Sequence, residues 1–237
     1  MFRKGLGNEV TVPPPPGTIV LWSDLGCPWA HAAVARLRRT RATAGLDGRV
    51  VIDHRAFALE HLNRRSTPKL ILDAEIPVAG ALEPGAGWQM WQGPDWGYPV
   101  TTMLAMEAVQ AAKAQSISAS ESLDAALRVA LFGQSRCISL RHVILEVADG
   151  CGDVDVAALT RALDAGTARA ALVEQAEEAT AGAILGSPHL FLPDGRDLHH
   201  PGVELEWIGT KGRGFPVVHR NDPSVYLDLL ESAAPAD

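Results

Sequence analysis

Cys27 is the residue whose type and position most clearly predict chemistry. It follows the apolar run at residues 18–22, which predicts a short buried strand, and precedes Pro28, which favours the first turn of a helix. A thiol there lies near the positive end of the helix dipole and near unpaired backbone N–H groups, which favour the thiolate. Lowering its pKa from about 8.5 to about 6 raises the thiolate fraction at neutral pH from about 3% to roughly 90%. We predict that Cys27 is a thiolate nucleophile; the alternative is a small buried apolar residue.

The other two cysteines, Cys137 and Cys151, fall at the edges of predicted helices and have no local motif. Three scattered cysteines are too few for a disulfide framework, and an odd count leaves at least one thiol free. We therefore expect Cys137 and Cys151 to be structural. Either could resolve a disulfide on Cys27 only if the fold brought it close.

The segment at residues 23–31, SDLGCPWAH, resembles the active-site segment of the DsbA-like, FrnE-type branch of the thioredoxin superfamily. That family usually has a Cys-Pro-Trp-Cys motif, a helical insertion and, later, a loop with a cis-proline. Phe57 and Leu59 after the second predicted strand, and Ser187-Pro188 before a later strand, extend the resemblance. The resemblance implies that Ser187-Pro188 is a cis bond packed against the motif cysteine, with the backbone of residue 187 free to pair with an extended substrate.

Ala30 occupies the position of the family's second motif cysteine, so the motif here is an atypical Cys-Pro-Trp-Ala. A two-cysteine site forms a mixed disulfide and resolves it with the neighbouring thiol, which Ala30 lacks. An external low-molecular-weight thiol, glutathione or mycothiol, would then release Cys27, and we expect no tightly bound cofactor. The resemblance thus implies a thiol oxidoreductase that acts through a single cysteine on a disulfide or an electrophilic small molecule.

Two other functions remain open. Kappa-class glutathione transferases and 2-hydroxychromene-2-carboxylate isomerases share the plan of a thioredoxin fold with a helical insertion, and they bind a thiol cofactor beside a single non-redox residue. The missing resolving cysteine makes this chain more similar to them. The third alternative is a binding protein for small molecules or peptides that keeps the cleft without turnover.

Six residues near the predicted thiol are candidates for binding substrate: Pro28, Trp29, His31, Ser187, Pro188 and His189. Trp29 either contributes to the substrate surface or is the first buried residue of its helix. His31 either exchanges a proton with the thiol or substrate or lies at the surface. Four loop tryptophans either wall an apolar pocket or cover a core: Trp88, Trp91, Trp96 and Trp207.

His199 and His200 are the residues most suggestive of a metal site. Adjacent residues of a strand point to opposite faces, so their imidazoles should not chelate one ion, and no spacing in the sequence matches a zinc site. We predict no metal site. The sequence also contains no Gly-rich phosphate loop and no Ser-His-Asp arrangement with a nucleophile elbow.

These residues must be positioned by an α/β thioredoxin-like fold, β-α-β followed by β-β-α, interrupted by an all-helical insertion. We predict an extended arm at 1–17, a thioredoxin-like domain at 18–60 and 182–237, a Trp/Gly/Pro-rich loop at 61–100 and the insertion at 101–181. Within the insertion the pattern predicts five helices, one opened by a capping box at Ser118 and Glu121. Asp24 is expected to cap the helix after Cys27, and a Gly-rich loop is expected around Trp207.

Composition limits the class of partner. The chain of 237 residues is 47% apolar and 21% charged, as in globular proteins, and its net charge of −7 disfavours nucleic acid. We find no apolar run of the length that a secretion signal or a membrane span needs, so we expect a cytoplasmic protein without a membrane partner. The resemblance leaves a homodimer open, because relatives of this plan are often dimers.

Overall fold

Residues 12–235 are described by this computed structural model, and they contain six strands. The strands are β1 (Thr18–Ser23), β2 (Val51–Ala56), β3 (His189–Phe191), β4 (Asp197–His199), β5 (Val203–Ile208) and β6 (Phe215–Asn221). The first four form one sheet in the order β2-β1-β3-β4, and β5 pairs with β6 in a separate antiparallel sheet. β1 and β2 are parallel, whereas β3 is antiparallel to β1 and to β4. The predicted β-α-β unit and the later hairpin are both confirmed.

The described residues also contain α-helices. They are α1 (Pro28–Thr43), α2 (Leu59–Asn63), α3 (Lys69–Leu82), α4 (Met103–Lys113), α5 (Ile117–Gln134), α6 (Arg141–Asp149), α7 (Val156–Ala165), α8 (Arg169–Thr180) and α9 (Val225–Ala233). Helix α1 connects β1 to β2, α2–α8 lie between β2 and β3, and α9 follows β6. The predicted thioredoxin-like α/β fold with helices inserted between its two parts is therefore confirmed. Of the arm predicted at 1–17, residues 1–11 lie outside the described residues.

Two main apolar clusters hold the fold together. One packs the sheet against α1 and α9 and includes Ile19, Leu37 and Leu230, all fully buried. The other lies among the inserted helices and includes Leu123 and Leu127 of α5. Full burial of such side chains contributes roughly 1.5–3 kcal/mol each, so the β1–α1 turn that carries Cys27 rests on a well-packed support. None of the helices within residues 12–235 has the length and hydropathy of a membrane-spanning segment.

We predicted a loop over residues 61–100. This prediction is wrong for part of the segment, because it contains the 14-residue helix α3. Pro77 and Gly80 are poor helix formers, so the sequence of this segment did not indicate a helix. Leu72, Ile76 and other residues of α3 are buried against neighbouring elements. This packing compensates for the proline, and α3 becomes one wall of the site described below.

The segment after the β3–β4 hairpin is a second hairpin rather than the predicted Gly-rich loop around Trp207. In β5 the apolar residues Val203, Leu205 and Trp207 alternate with Glu204 and Glu206. This alternation is typical of a strand with one buried face. The prediction of a loop was based on the glycines that follow Trp207, which lie in the turn between β5 and β6. Trp207 is therefore held on a strand.

Two predicted N-caps are wrong. Cys27, not Asp24, is the N-cap residue of α1, and no side chain caps that helix. Helix α5 is capped by Ser116, so Ser118 and Glu121 lie inside it and form no capping box. Glu121 instead accepts hydrogen bonds from Arg41 of α1 and from the backbone N–H of Ile52 in β2.

Candidate functional site

Cys27 lies where the chain leaves β1, directly against the loop that contains Pro188. Its Sγ donates a hydrogen bond to the backbone oxygen of Ser187 at 3.2 Å, between residues 160 positions apart in sequence. The backbone N–H of Asp24 donates in turn to the Ser187 hydroxyl at 2.9 Å. The Ser187–Pro188 bond is cis. The Ser187 carbonyl thus accepts a hydrogen bond from the thiol, and pairing of the residue 187 backbone with an extended substrate stays a prediction.

Cys27 opens into a cleft of about 500 Å³. The start of α1, the segment from α2 through α3, the loop at 185–187 and the hairpin of β5 and β6 form its walls. Cys27 itself is only 5% exposed. A cleft of this volume suits a small-molecule ligand, and the thiol is one of the groups such a ligand would contact.

The prediction that Cys27 is a thiolate at neutral pH is wrong. Burial and the nearby carboxylate of Glu75 raise the pKa of Cys27 to about 11, and the bond with Ser187 offsets only part of that change. At neutral pH the thiol is therefore protonated. The local position at the start of a helix favours the anion, but removal from water and a neighbouring negative charge oppose it more strongly.

Glu75 is the main site residue that the sequence analysis missed. It projects from α3, lines the cleft with Cys27 and is only 7% exposed. Its carboxylate accepts a hydrogen bond from the side chain of Trp29, and burial raises its pKa while the Lys211 ammonium opposes that rise. The available signal was a glutamate among apolar residues of α3, which becomes visible only once that segment is recognised as a helix.

We expect Glu75→Gln to lower the pKa of Cys27, because it removes a negative charge that disfavours the thiolate and leaves an amide oxygen for Trp29. The alkylation rate at pH 8 should rise several-fold, roughly fivefold for a unit charge a few ångströms away. Below its pKa the wild-type thiol should react about tenfold faster for each unit of pH gained. Iodoacetamide kinetics between pH 7 and 10 measure both effects. An unchanged rate in Glu75→Gln would show that burial alone sets the pKa.

The other predicted site residues divide into two groups. Trp29 and Ser187 line the cleft, whereas Pro188 lines a small neighbouring cavity that also contacts Trp29. Pro28 is buried at the first position of α1 and is not among the residues lining the cleft. The prediction that Trp29 contributes to the substrate surface therefore fits the geometry, while Pro28 supports the helix.

His31 fits neither role that we considered. It is buried, and its ring packs on Trp88 and Phe132 with centroid distances of 4.5 and 5.0 Å. Burial lowers its pKa to about 4, so the imidazole is neutral and does not reach the Cys27 cleft. Trp88 thus covers a core, whereas Trp207 walls the cleft.

His189 positions the Pro188 loop instead of lining the cleft. It is fully buried, its Nδ1 accepts from the backbone N–H of Leu185 at 3.1 Å, and its Nε2 lies 2.8 Å from Asp197. These bonds tie the segment before Ser187 to β3 and β4. We predicted that His189 lies near the Pro188 loop, as it does, and that it binds substrate; its side chain does not line the cleft.

His199 and His200 both line the cleft, contrary to the prediction that they point to opposite faces. Their ring centroids are 4.1 Å apart, because His200 has left the strand with a φ of 49°. Burial lowers the pKa of each, that of His200 to about 3, so both are neutral at pH 7. Within residues 12–235 no group of three or more potential ligands could hold a metal ion.

Cys137 and Cys151 are free, as is Cys27, and neither lines the Cys27 cleft. Cys137 lies between α5 and α6, and Cys151 follows α6 in a separate groove. Both belong to the helical part of the molecule. The geometry gives neither a contact with the Cys27 thiol.

Residues 18–211 match the sequence model of the DSBA-like thioredoxin domain. This chain belongs to that family. Its Cys27, at the start of the first helix opposite a cis-proline loop, occupies the place that the resemblance assigns to the motif cysteine. A search of curated proteins finds no match to the chain.

Solved structures share the DSBA-like fold. Cytosolic disulfide reductase DsbM from Pseudomonas aeruginosa has 16% identity and a TM-score of 0.61, covering 90% of this chain and 97% of that one. A probable DsbA oxidoreductase from Streptomyces coelicolor has 20% identity and a TM-score of 0.62, with coverages of 93% and 92%. A 2-hydroxychromene-2-carboxylate isomerase has 17% identity and a TM-score of 0.55, with coverages of 76% and 87%. At these identities the likeness shows the fold alone.

Proposed function

We propose that this DSBA-like domain catalyses disulfide exchange through the single thiol of Cys27 and uses an external small thiol, glutathione or mycothiol, to regenerate it. The observation that carries the proposal is the position of Cys27 Sγ in a cleft of ligand size, 3.2 Å from the carbonyl of Ser187. Ala30, which replaces the resolving cysteine, is fully buried. The second thiol must therefore enter through the cleft.

The proposed reaction has two exchange steps. The Cys27 thiolate attacks one sulfur of a disulfide R–S–S–R′, a Cys27–S–S–R bond forms, and R′–S⁻ leaves and takes up a proton. The thiolate of the external thiol, G–S⁻, then attacks the mixed disulfide, releasing Cys27 and R–S–S–G. The net change is R–S–S–R′ plus G–SH giving R–S–S–G plus R′–SH, so electrons balance without another oxidant. The proton that Cys27 loses passes to solvent.

Two further observations support a small external thiol. Cytosolic disulfide reductase DsbM has also been solved with GSH, in a structure with 15% identity to this chain, a TM-score of 0.58 and coverages of 91% and 95%. Its description also favours the cytoplasm as the place of action for this chain. The cleft volume of about 500 Å³ suits a small thiol better than a folded protein partner.

A second candidate, a thiol-dependent isomerase or transferase, is favoured by the neutral state of Cys27. A thiol whose pKa is raised to about 11 is suited to donate a hydrogen bond to a bound ligand rather than to attack it. The isomerase neighbour shares this fold. In that enzyme class the external thiol would bind without forming a disulfide.

Mapping the adduct separates these functions. The purified protein is incubated with glutathione disulfide, quenched with an alkylating agent and digested for mass spectrometry. We expect glutathione on Cys27 and its release by added glutathione. Saturable binding of glutathione with Cys27 still free would favour the isomerase or transferase. Neither an adduct nor binding would favour a protein that binds another ligand without turnover.

A further inference from the structure

Cationic side chains with no carboxylate oxygen within 4.0 Å are concentrated near the Cys27 cleft. Most Arg and Lys side chains among residues 12–235 lie within 4.0 Å of a carboxylate, as Arg41 does with Asp47 and Glu121. The described cationic side chains with neither an ion pair nor a side-chain hydrogen bond are Arg64, Arg65, Arg161, Lys211 and Arg213. Four of these five lie on two segments that form the cleft, and only Arg161 lies elsewhere, on α7.

The two segments approach the cleft from different elements. Arg65 lies between α2 and α3, Lys211 lies in the turn between β5 and β6, and both line the cleft with Cys27. A Cβ added at Gly212 would lie 3.8 Å from Ile71 of α3, so this turn packs against the start of that helix. Arg65 and Lys211 therefore lie on two segments that line the same cleft.

The cleft has little negative charge to neutralise them. Glu75 is the one carboxylate among its lining residues and interacts with the Lys211 ammonium, so with Arg65 the lining keeps an excess of one positive charge. His199 and His200 are neutral at pH 7 because burial lowers the pKa of each. A chain with a net charge of −7 thus has a locally cationic opening, and such a region attracts anionic ligands more strongly than the net charge suggests.

We propose that Arg65 and Lys211 form a carboxylate-binding site in the cleft, and that the substrate or small thiol which reacts at Cys27 carries a carboxylate. This inference rests on the proposed function in one respect, because it names the class of ligand for the same thiol. Arginine presents paired N–H donors that match a carboxylate, and lysine adds a point charge. The proposed ligand is therefore a small anionic thiol, disulfide or electrophile.

The test compares two maleimides that differ in charge, 3-maleimidopropionate and N-ethylmaleimide. In both reactions the Cys27 thiolate adds to the double bond and the adjacent carbon takes up a proton. The ratio of their rates therefore cancels the thiolate fraction and reports attraction of the carboxylate. We expect Arg65→Ala and Lys211→Ala each to lower this ratio roughly threefold to fivefold, the effect of one solvent-exposed charge at close range. High salt should lower the wild-type ratio as well.

Arg161→Ala is the matched control, because it removes an equally unpaired arginine from a helix that does not line the cleft. Its ratio should equal that of the wild type. Unchanged ratios in both Arg65→Ala and Lys211→Ala would overturn the carboxylate site, even if disulfide exchange at Cys27 were observed. Lowered ratios without any exchange would retain the site and overturn the proposed function. Thermal unfolding of each variant checks that the fold is intact.

Discussion

Replacing Cys27 with serine is expected to abolish disulfide exchange, lowering the rate by at least about 10³-fold, as removal of a covalent nucleophile does. A serine hydroxyl cannot form a mixed disulfide, although it can still donate to the Ser187 carbonyl that now accepts from the thiol. The fold should therefore survive the change. The measurement is the rate at which a small disulfide is consumed in the presence of glutathione, with far-ultraviolet circular dichroism as the check on folding.

The matched control is the double variant Cys137→Ser with Cys151→Ser. These cysteines are free and lie outside the cleft, so the control should keep the wild-type rate. Turnover that persists in Cys27→Ser would place the reacting sulfur elsewhere. Loss of turnover in the control would instead indicate that a cysteine of the helical part resolves the mixed disulfide.

The features that the sequence predicted correctly are those set by local residues. The pattern predicted a helix that begins at Asp153 or Asp155 and ends at Gly166; Asp155 caps α7 through its side chain, and Gly166 ends that helix with a positive φ. Cys27 lies at the end of β1 because a buried strand, a turn and a proline follow one another in the chain. Such contacts involve neighbours in sequence, so their residue types are sufficient to predict them.

The predictions that were wrong concern features that depend on contacts between segments distant in sequence. The pKa of Cys27 is raised by burial and by Glu75, which reaches the thiol from α3. Sequence analysis assigned that helix to a loop, so neither contribution was visible. His31 was missed for the same reason, since Trp88 and Phe132 enclose it from other elements. A local electrostatic argument can give the direction of one contribution but not the balance of several.

Arg128 connects the helical part to the turn before Cys27 and was also absent from the sequence analysis. It is fully buried on α5 and pairs with Asp124 at 2.8 Å. It also donates to the backbone oxygen of Asp24 at 3.0 Å and to the Ser23 hydroxyl at 2.7 Å. The guanidinium thus fixes the end of β1 at Ser23, four residues before Cys27, and the residue that follows it. An arginine in an amphipathic helix is usually exposed, so the sequence alone did not indicate that Arg128 is buried in this network.

Arg128→Met is therefore expected to lower the free energy of unfolding by about 3–5 kcal/mol, because it leaves Asp124 buried without its counter-charge. Interaction with Arg128 holds the pKa of Asp124 below its usual value despite burial. In the wild type this stabilisation is present above the unfolded pKa of Asp124 and is lost as the pH falls through the folded value. Urea unfolding at pH 7 measures the change, and Arg161→Ala provides a control expected to stay within about 0.5 kcal/mol of wild type.

The double variant Asp124→Leu with Arg128→Met decides whether the pair stabilises the protein or only avoids an isolated charge. Removing both charges of a buried pair is often close to neutral, whereas removing one is not. We therefore expect the double variant to recover part of the stability lost in Arg128→Met, with full recovery prevented by the lost bonds to Ser23 and Asp24. Equal stability of Arg128→Met and the wild type would contradict the role assigned to this network. Full recovery in the double variant would show that the bonds to the turn before Cys27 contribute nothing to stability.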